Sequence, residues 1–160
     1  MAQTGCERVI ELMSQIYDTL QEYERQTDTM NNAGLEVIQS ALIARNELID
    51  DLEELRRQLE DVMEVEPQEE RILLKALVNG SYVNAQLDEQ HKQVQLIQRN
   101  ITIIKQRIVD KDRVISGQFK SQHIDSRREL EQLKQTKQRI GYYSSSVVGR
   151  TTGQSLNKNL

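Results

Sequence analysis

The sequence predicts an all-α fold, a long antiparallel helical hairpin of the coiled-coil type. Aromatic residues make up 4% and charged residues 29% of the chain, a composition that favours helices over a large globular core. Apolar residues recur at steps of three and four on both sides of the single proline, Pro67. We expect residues 1–141 to form the hairpin, with bends near Gly34 and Gly117, and residues 142–160 to form a disordered tail.

The first predicted helix starts at a capping box, in which Thr4 is the N-cap and Glu7 the third helical residue. Asn31-Asn32-Ala33-Gly34 has the composition of a turn, but the apolar spacing crosses it without a change of phase. We therefore expect one long helix that is bent near Gly34. Its seam comprises Val9, Met13, Ile16, Leu20, Tyr23, Thr27 and Met30, followed by Gly34, Val37, Ala41, Ala44 and Leu48.

Glu64-Val65-Glu66-Pro67 ends this helix, and Pro67 suits the first turn of the next one. The second helix is expected to continue to Ile140. In the antiparallel register set by the turn, Leu48 faces Val83 and Met30 faces Ile101. The seam of this helix comprises Val83, Leu87, Gln90, Val94, Ile97, Ile101, Ile104, Ile108, Lys111 and Ile115.

Both arms carry a second apolar stripe that a two-helix hairpin leaves in water. Burying one such side chain is worth about 1.5–3 kcal/mol, so a packed-back segment, a second copy of the chain or a client should cover the stripe. Gly117 and a phase shift near Phe119 mark a joint where the last segment would fold back, and a three- or four-helix arrangement therefore stays open. The stripe comprises Leu35, Ile38, Leu42 and Ile49 on one arm and Leu96, Ile103, Val109 and Val114 on the other.

Few residues have the pattern of a catalytic or metal site. Asp88 and His91 share a helical face, but two ligands do not make a site, since metals usually take three or four. Cys6 has no second cysteine to pair with, and we interpret it as an incidental small residue, although a helix N-terminus can lower a thiol pKa. We expect no enzyme activity, no cofactor and no metal.

The charge is unevenly distributed along the chain. Residues 111–160 contain ten Lys and Arg against four Asp and Glu, whereas residues 1–110 contain eleven against twenty-one. This fits solvated helix faces or an acidic partner. The net charge of −4 argues against nucleic-acid binding by the basic cluster Arg127, Arg128, Lys134, Lys137 and Arg139 with its neighbours Tyr142 and Tyr143. No apolar run is long enough for a membrane span and no signal segment opens the chain, so we expect a soluble, cytoplasmic protein.

The segment from Asn32 to Leu55 (NAGLEVIQSALIARNELIDDLEEL) resembles the flagellar export chaperones of the FlgN and FliT type. In that family a polar or glycine step follows the first helix, and an Arg or Lys precedes a Leu-Ile pair, here Arg45 before Leu48-Ile49. An acidic, proline-marked turn, a long returning helix and a tail opened by a tyrosine complete the pattern.

The resemblance implies a cytoplasmic chaperone of type III flagellar export. Such proteins hold the amphipathic terminal helices of hook–filament junction proteins or of the filament cap, and so prevent premature assembly. The alternative is a structural coiled-coil adaptor or homodimeric rod with no export role, in which the same residues are ordinary core. The residues expected to contact an amphipathic client helix are Leu96, Ile103, Val109, Val114, Phe119, Leu130 and Leu133.

Overall fold

The computed structural model describes residues 3–121 and 131–140, and the protein is all-α, as predicted. Four helices have defined bounds: α1 (Gly5–Thr29), α2 (Leu35–Glu64), α3 (Gln68–Val78) and α4 (Glu89–Ser121). Residues 131–140 are also helical and are called α5. The predicted tail at 142–160 lies outside the described residues.

The single long helix predicted across Gly34 is wrong. The capping box at Thr4 starts α1 as expected, but α1 ends at Thr29 and Asn32 turns the chain with a positive φ of 54°. Helix α2 then returns beside α1, since the Arg8 guanidinium donates to Gln58 and the Arg45 guanidinium donates to the Tyr23 hydroxyl. The two helices are therefore antiparallel neighbours.

The apolar phase changes across this turn, which is why the continuous seam misled the prediction. All seven predicted seam positions from Val9 to Met30, which is the C-cap of α1, are buried. In α2, however, Val37 is 49% exposed while Ile38 and Leu42 are buried. The second apolar stripe of α2, which was expected to face water, therefore forms most of the face that packs into the core.

Pro67 marks a helix boundary as predicted, because α2 ends at Glu64 and α3 starts at Gln68. The uninterrupted second helix is wrong, because α3 stops at Val78. Gly80, with φ of 73°, donates its N–H to the Leu77 carbonyl, and Ser81 donates to the Ala76 carbonyl. These two bonds form a Schellman C-cap.

Helix α4 begins after the connection 79–88, which contains the predicted seam residues Val83 and Leu87. The Asp88 carboxylate accepts the backbone N–H of His91, and the Asp88 carbonyl accepts that of Lys92, so Asp88 is the N-cap of α4. The helix continues through Gly117, where a joint was expected.

Helix α4 lies parallel to α1, so the register predicted for an antiparallel hairpin is wrong. Residues later in α1 contact residues later in α4, so the two helices run in the same direction. Helix α5 packs on α2, where the Arg139 guanidinium is 2.9 Å from Asp50 and 3.3 Å from Glu53. The last segment therefore folds back. The contacts that fix the direction of α4 are Glu7 with Gln90, Glu24 with Arg107, and Asn31 with Gln118.

The interior has two hydrophobic cores separated by a polar layer. The larger core extends over α1, α2, α3 and α4 and includes Leu20, Leu52, Leu74 and Ile104. The smaller core lies near the α1–α2 turn and comprises Met30, Ile38, Ala41, Leu42, Ile115, Phe119 and Leu133. In α1, α2, α4 and α5, buried polar residues lie between the residues of the larger core and those of the smaller core. The polar layer comprises Thr27, Arg45, Asp112, Thr136 and Lys137.

Arg45, a residue that carries part of the family resemblance, is fully buried in this layer. Its guanidinium makes a bidentate pair with Asp112 at 2.8 and 3.0 Å and also contacts Tyr23. Lys137 is likewise mostly buried and Arg139 is paired with α2, so part of the basic cluster serves packing within the chain.

Among the described residues, no helix is both long enough and apolar enough to cross a membrane.

Candidate functional site

Three of the predicted contact residues form an exposed apolar line on α4. Leu96 and Ile103 are each 56% exposed and Val114 is 58% exposed. Their spacings of seven and eleven residues place them within about 20° of one line along the helix, at about 100° per residue. The buried residues Ile101 and Ile108 lie on the far side. We call Leu96, Ile103 and Val114 the outer face of α4.

Three of the other predicted contacts, Val109, Phe119 and Leu133, do not belong to this face. Val109 is partly buried and packs against the larger core. Phe119 and Leu133, which are 4% and 0% exposed, lie in the smaller core, so they are corrected from contact residues to core residues. The physical reason is the return of α5, which covers the apolar end of α4. Leu130 lies outside the described residues.

A cleft adjoins the outer face between α1 and α4. Its volume is about 160 Å³, large enough to admit an apolar side chain. Lys111 bridges its rim, with Nζ 2.7 Å from the Asp28 carboxylate and 3.2 Å from that of Glu24. The lining residues are Thr27, Asp28, Asn31, Lys111, Val114 and Ile115.

The opposite end of the bundle gathers side chains that can bind a metal. Cys6 Sγ, a Glu70 carboxylate oxygen and a His91 ring nitrogen lie within 4.8 Å of one another, and we call these residues the Cys6 cluster. They come from the first turns of α1, α3 and α4. His91 Nε2 is 2.7 Å from Glu70 Oε1, and its Nδ1 is 2.7 Å from Asp88 Oδ1.

The electrostatics of this end favour positive charge. Burial, followed by the carboxylates of Glu70 and Asp88, raises the pKa of the Cys6 thiol to about 11. This is opposite to the lowering that a helix N-terminus alone would cause. Burial lowers the pKa of His91, but its hydrogen bonds to Glu70 and Asp88 outweigh that effect, so the net pKa is raised.

Sequence reasoning found His91 and Asp88 but not their partners in space. Cys6 and Glu70 are far from His91 in the sequence, and no short motif joins them. The signal that was available is the position of each residue in a first helical turn, after Thr4, Pro67 and Asp88. Only the placement of three helix starts at one end of the bundle brings them together.

Comparison of the chain with protein-family models, with curated proteins and with solved structures finds no match.

Proposed function

We propose that this protein is a helix-binding chaperone whose client lies along the outer face of α4. The observation that supports the proposal is the line of three large apolar side chains, each more than half exposed, opposite the core face of the same helix. Full burial of an exposed side chain of this kind is worth about 1.5–3 kcal/mol, and since each is only 56–58% exposed, covering the remainder is worth about 0.8–1.7 kcal/mol per residue.

The dimensions of this face suit one amphipathic helix. At about 1.5 Å per residue, Leu96 and Ile103 are about 10 Å apart and Ile103 and Val114 about 16 Å apart along the axis. A client helix of about five turns would span all three, with its apolar anchors repeating near i, i+3, i+4 and i+7. The cleft beside Val114 would accept one larger client side chain, and Lys111 at its rim offers a charged group for orientation.

At the family level we propose a cytoplasmic chaperone of flagellar export that holds the terminal helices of hook–filament junction or cap proteins. This finer proposal rests on the resemblance of residues 32–55 and on the all-α fold. Its alternative is a homodimeric rod in which the outer face of α4 binds a second copy. The two readings differ in what occupies the same surface.

The test compares two exposed isoleucines. Ile103→Glu changes the outer face, and Ile43→Glu makes the same change at a residue of α2 that is 64% exposed. Labelled synthetic peptides of the terminal helices of junction and cap proteins are titrated with each variant, and binding is followed by fluorescence anisotropy. We expect Ile103→Glu to weaken the affinity at least about tenfold, which corresponds to about 1.4 kcal/mol, and Ile43→Glu to leave it unchanged.

Two outcomes would contradict the proposal. Equal peptide affinity for both variants would show that the client does not use the outer face. Peptides that fail to bind, together with a wild-type dimer that Ile103→Glu converts to a monomer in sedimentation velocity, would assign the face to self-association and refute the chaperone function.

A further inference from the structure

We propose that Cys6, Glu70 and His91 form a zinc site at the end of the bundle where α1, α3 and α4 begin. The donors are a thiolate sulfur, an imidazole nitrogen and a carboxylate oxygen, all of which are ordinary ligands of Zn²⁺. They come from three helices, and their ligand atoms lie within 4.8 Å of one another. The proposal does not depend on helix binding, because none of these three residues belongs to the outer face of α4.

The spacing of these atoms is close to that of a tetrahedral site. Zn–S bonds of about 2.3 Å and Zn–N and Zn–O bonds of about 2.0–2.2 Å place neighbouring ligand atoms about 3.4–3.6 Å apart. The hydrogen-bonded pair of His91 Nε2 and Glu70 Oε1, at 2.7 Å, would open by under about 1 Å, and Cys6 Sγ would approach by about 1.3 Å at most. Rotation of the Glu70 side chain, which is 30% exposed, accommodates the first change.

Asp88 would orient the histidine ligand without itself binding the metal. A histidine that binds a metal through one ring nitrogen usually donates the other N–H to a carboxylate or carbonyl, which fixes the ring. His91 Nδ1 is 2.7 Å from Asp88 Oδ1, so Nε2 is the atom presented to Cys6 and Glu70. Asp88 is itself held in place as the N-cap of α4.

The local charge favours a divalent cation. The Cys6 sulfur lies in the field of four carboxylates, those of Glu7, Glu66, Glu70 and Asp88. Sulfur and nitrogen donors select zinc over Ca²⁺ and Mg²⁺, which prefer oxygen ligands.

The site would join three helix starts that are distant in sequence. It ties the first turn of α1 to α3 and α4, and three protein ligands leave a fourth position for water. The side chain of His91 is 12% exposed and that of Glu70 is 30% exposed, so the Cys6 cluster borders solvent.

The experiment uses the full chain after its metal has been removed with EDTA. Co²⁺, which takes the same tetrahedral geometry and absorbs light, is titrated in, and Zn²⁺ is then used to displace it. We expect a thiolate-to-cobalt charge-transfer band in the near ultraviolet, visible bands of a tetrahedral ion, and a stoichiometry of one. We also expect Zn²⁺ to raise Tm.

Matched variants locate the site. Cys6→Ser should abolish the charge-transfer band. Glu70→Gln should weaken Co²⁺ binding, whereas Glu69→Gln, at the exposed neighbouring residue, should not. Asp88→Asn should weaken binding about 10- to 100-fold as a positioning residue. Far-UV circular dichroism in EDTA checks that each variant folds.

Absence of the charge-transfer band in the wild-type protein would overturn the proposal. Equal affinity of Glu70→Gln and Glu69→Gln, or a Zn²⁺-dependent rise in Tm that persists in Cys6→Ser, would place the metal on other groups and would also overturn it.

Discussion

Removing the Asp112 carboxylate should be among the most destabilising single changes in this protein. Asp112 is 1% exposed and pairs with Arg45, which is 0% exposed, through two bonds of 2.8 and 3.0 Å. Asp112→Ala leaves the Arg45 guanidinium buried without its anion. Breaking a buried pair in this way costs about 3–5 kcal/mol.

The effect is large relative to the stability of a domain, which is about 5–15 kcal/mol. For a chain of this size 1 kcal/mol corresponds to about 2–4 °C, so Tm should fall by about 6–20 °C. Asp112 also faces Lys137, whose pKa burial lowers and Asp112 raises, so a second cation loses a favourable neighbour. Urea unfolding followed by circular dichroism measures the free energy directly.

The control is Asp110→Ala, at a residue whose side chain is 60% exposed and 3.9 Å from Arg113. An exposed pair of this kind is worth under about 1 kcal/mol. The double variant Arg45→Met with Asp112→Leu should recover most of the loss, because buried ion pairs are often replaceable by apolar residues of similar volume. A cost for Asp112→Ala no larger than that of Asp110→Ala would refute the reasoning.

Two further predictions concern α5 and Lys105. Leu133→Ala should cost about 2–5 kcal/mol in urea unfolding, because Leu133 is fully buried in the smaller core, while Leu96→Ala on the outer face should cost under about 0.5 kcal/mol. Equal costs would show that α5 does not pack on the bundle. Burial lowers the pKa of Lys105 to about 7, so between pH 7 and 10 the unfolded chain binds a proton that the folded chain does not. Stability should therefore rise with pH in this window, by at most about 1.4 kcal/mol per unit, and the advantage of Lys105→Met over wild type should shrink from pH 7 to pH 10. A difference in unfolding free energy between Lys105→Met and wild type that does not change with pH would contradict this prediction.

Local chemistry explains which boundaries were predictable. The Thr4 capping box and the Pro67 break depend on a few adjacent residues, and both are present as expected. Gly80 carried an equally local signal, since a glycine at positive φ is the usual C-cap, but an apolar spacing that ran past it concealed the stop. The turn composition around Asn32 was recognisable, but the apolar spacing across it favoured a bent helix over a turn.

The outer face of α4 was only partly predictable. Leu96, Ile103 and Val114 lie opposite the core by helical geometry alone. Phe119 and Leu133 carry the same apolar signal, yet they face each other across the smaller core because α5 folds back. Amphipathic spacing shows which side chains must be buried, but it does not show which segment or partner buries them.

The amino-acid pattern is enough to infer that this protein is helical, where its first helix begins, that Pro67 divides it and which face of α1 is buried. Those properties follow from hydrogen bonds and side-chain spacings within a turn or two of helix. The packing of the helices is needed to show that α4 lies parallel to α1, that Arg45 pairs with Asp112, and that Cys6, Glu70 and His91 share one end of the bundle. These are contacts between helices, and they depend on how the burial of several apolar faces is satisfied at once.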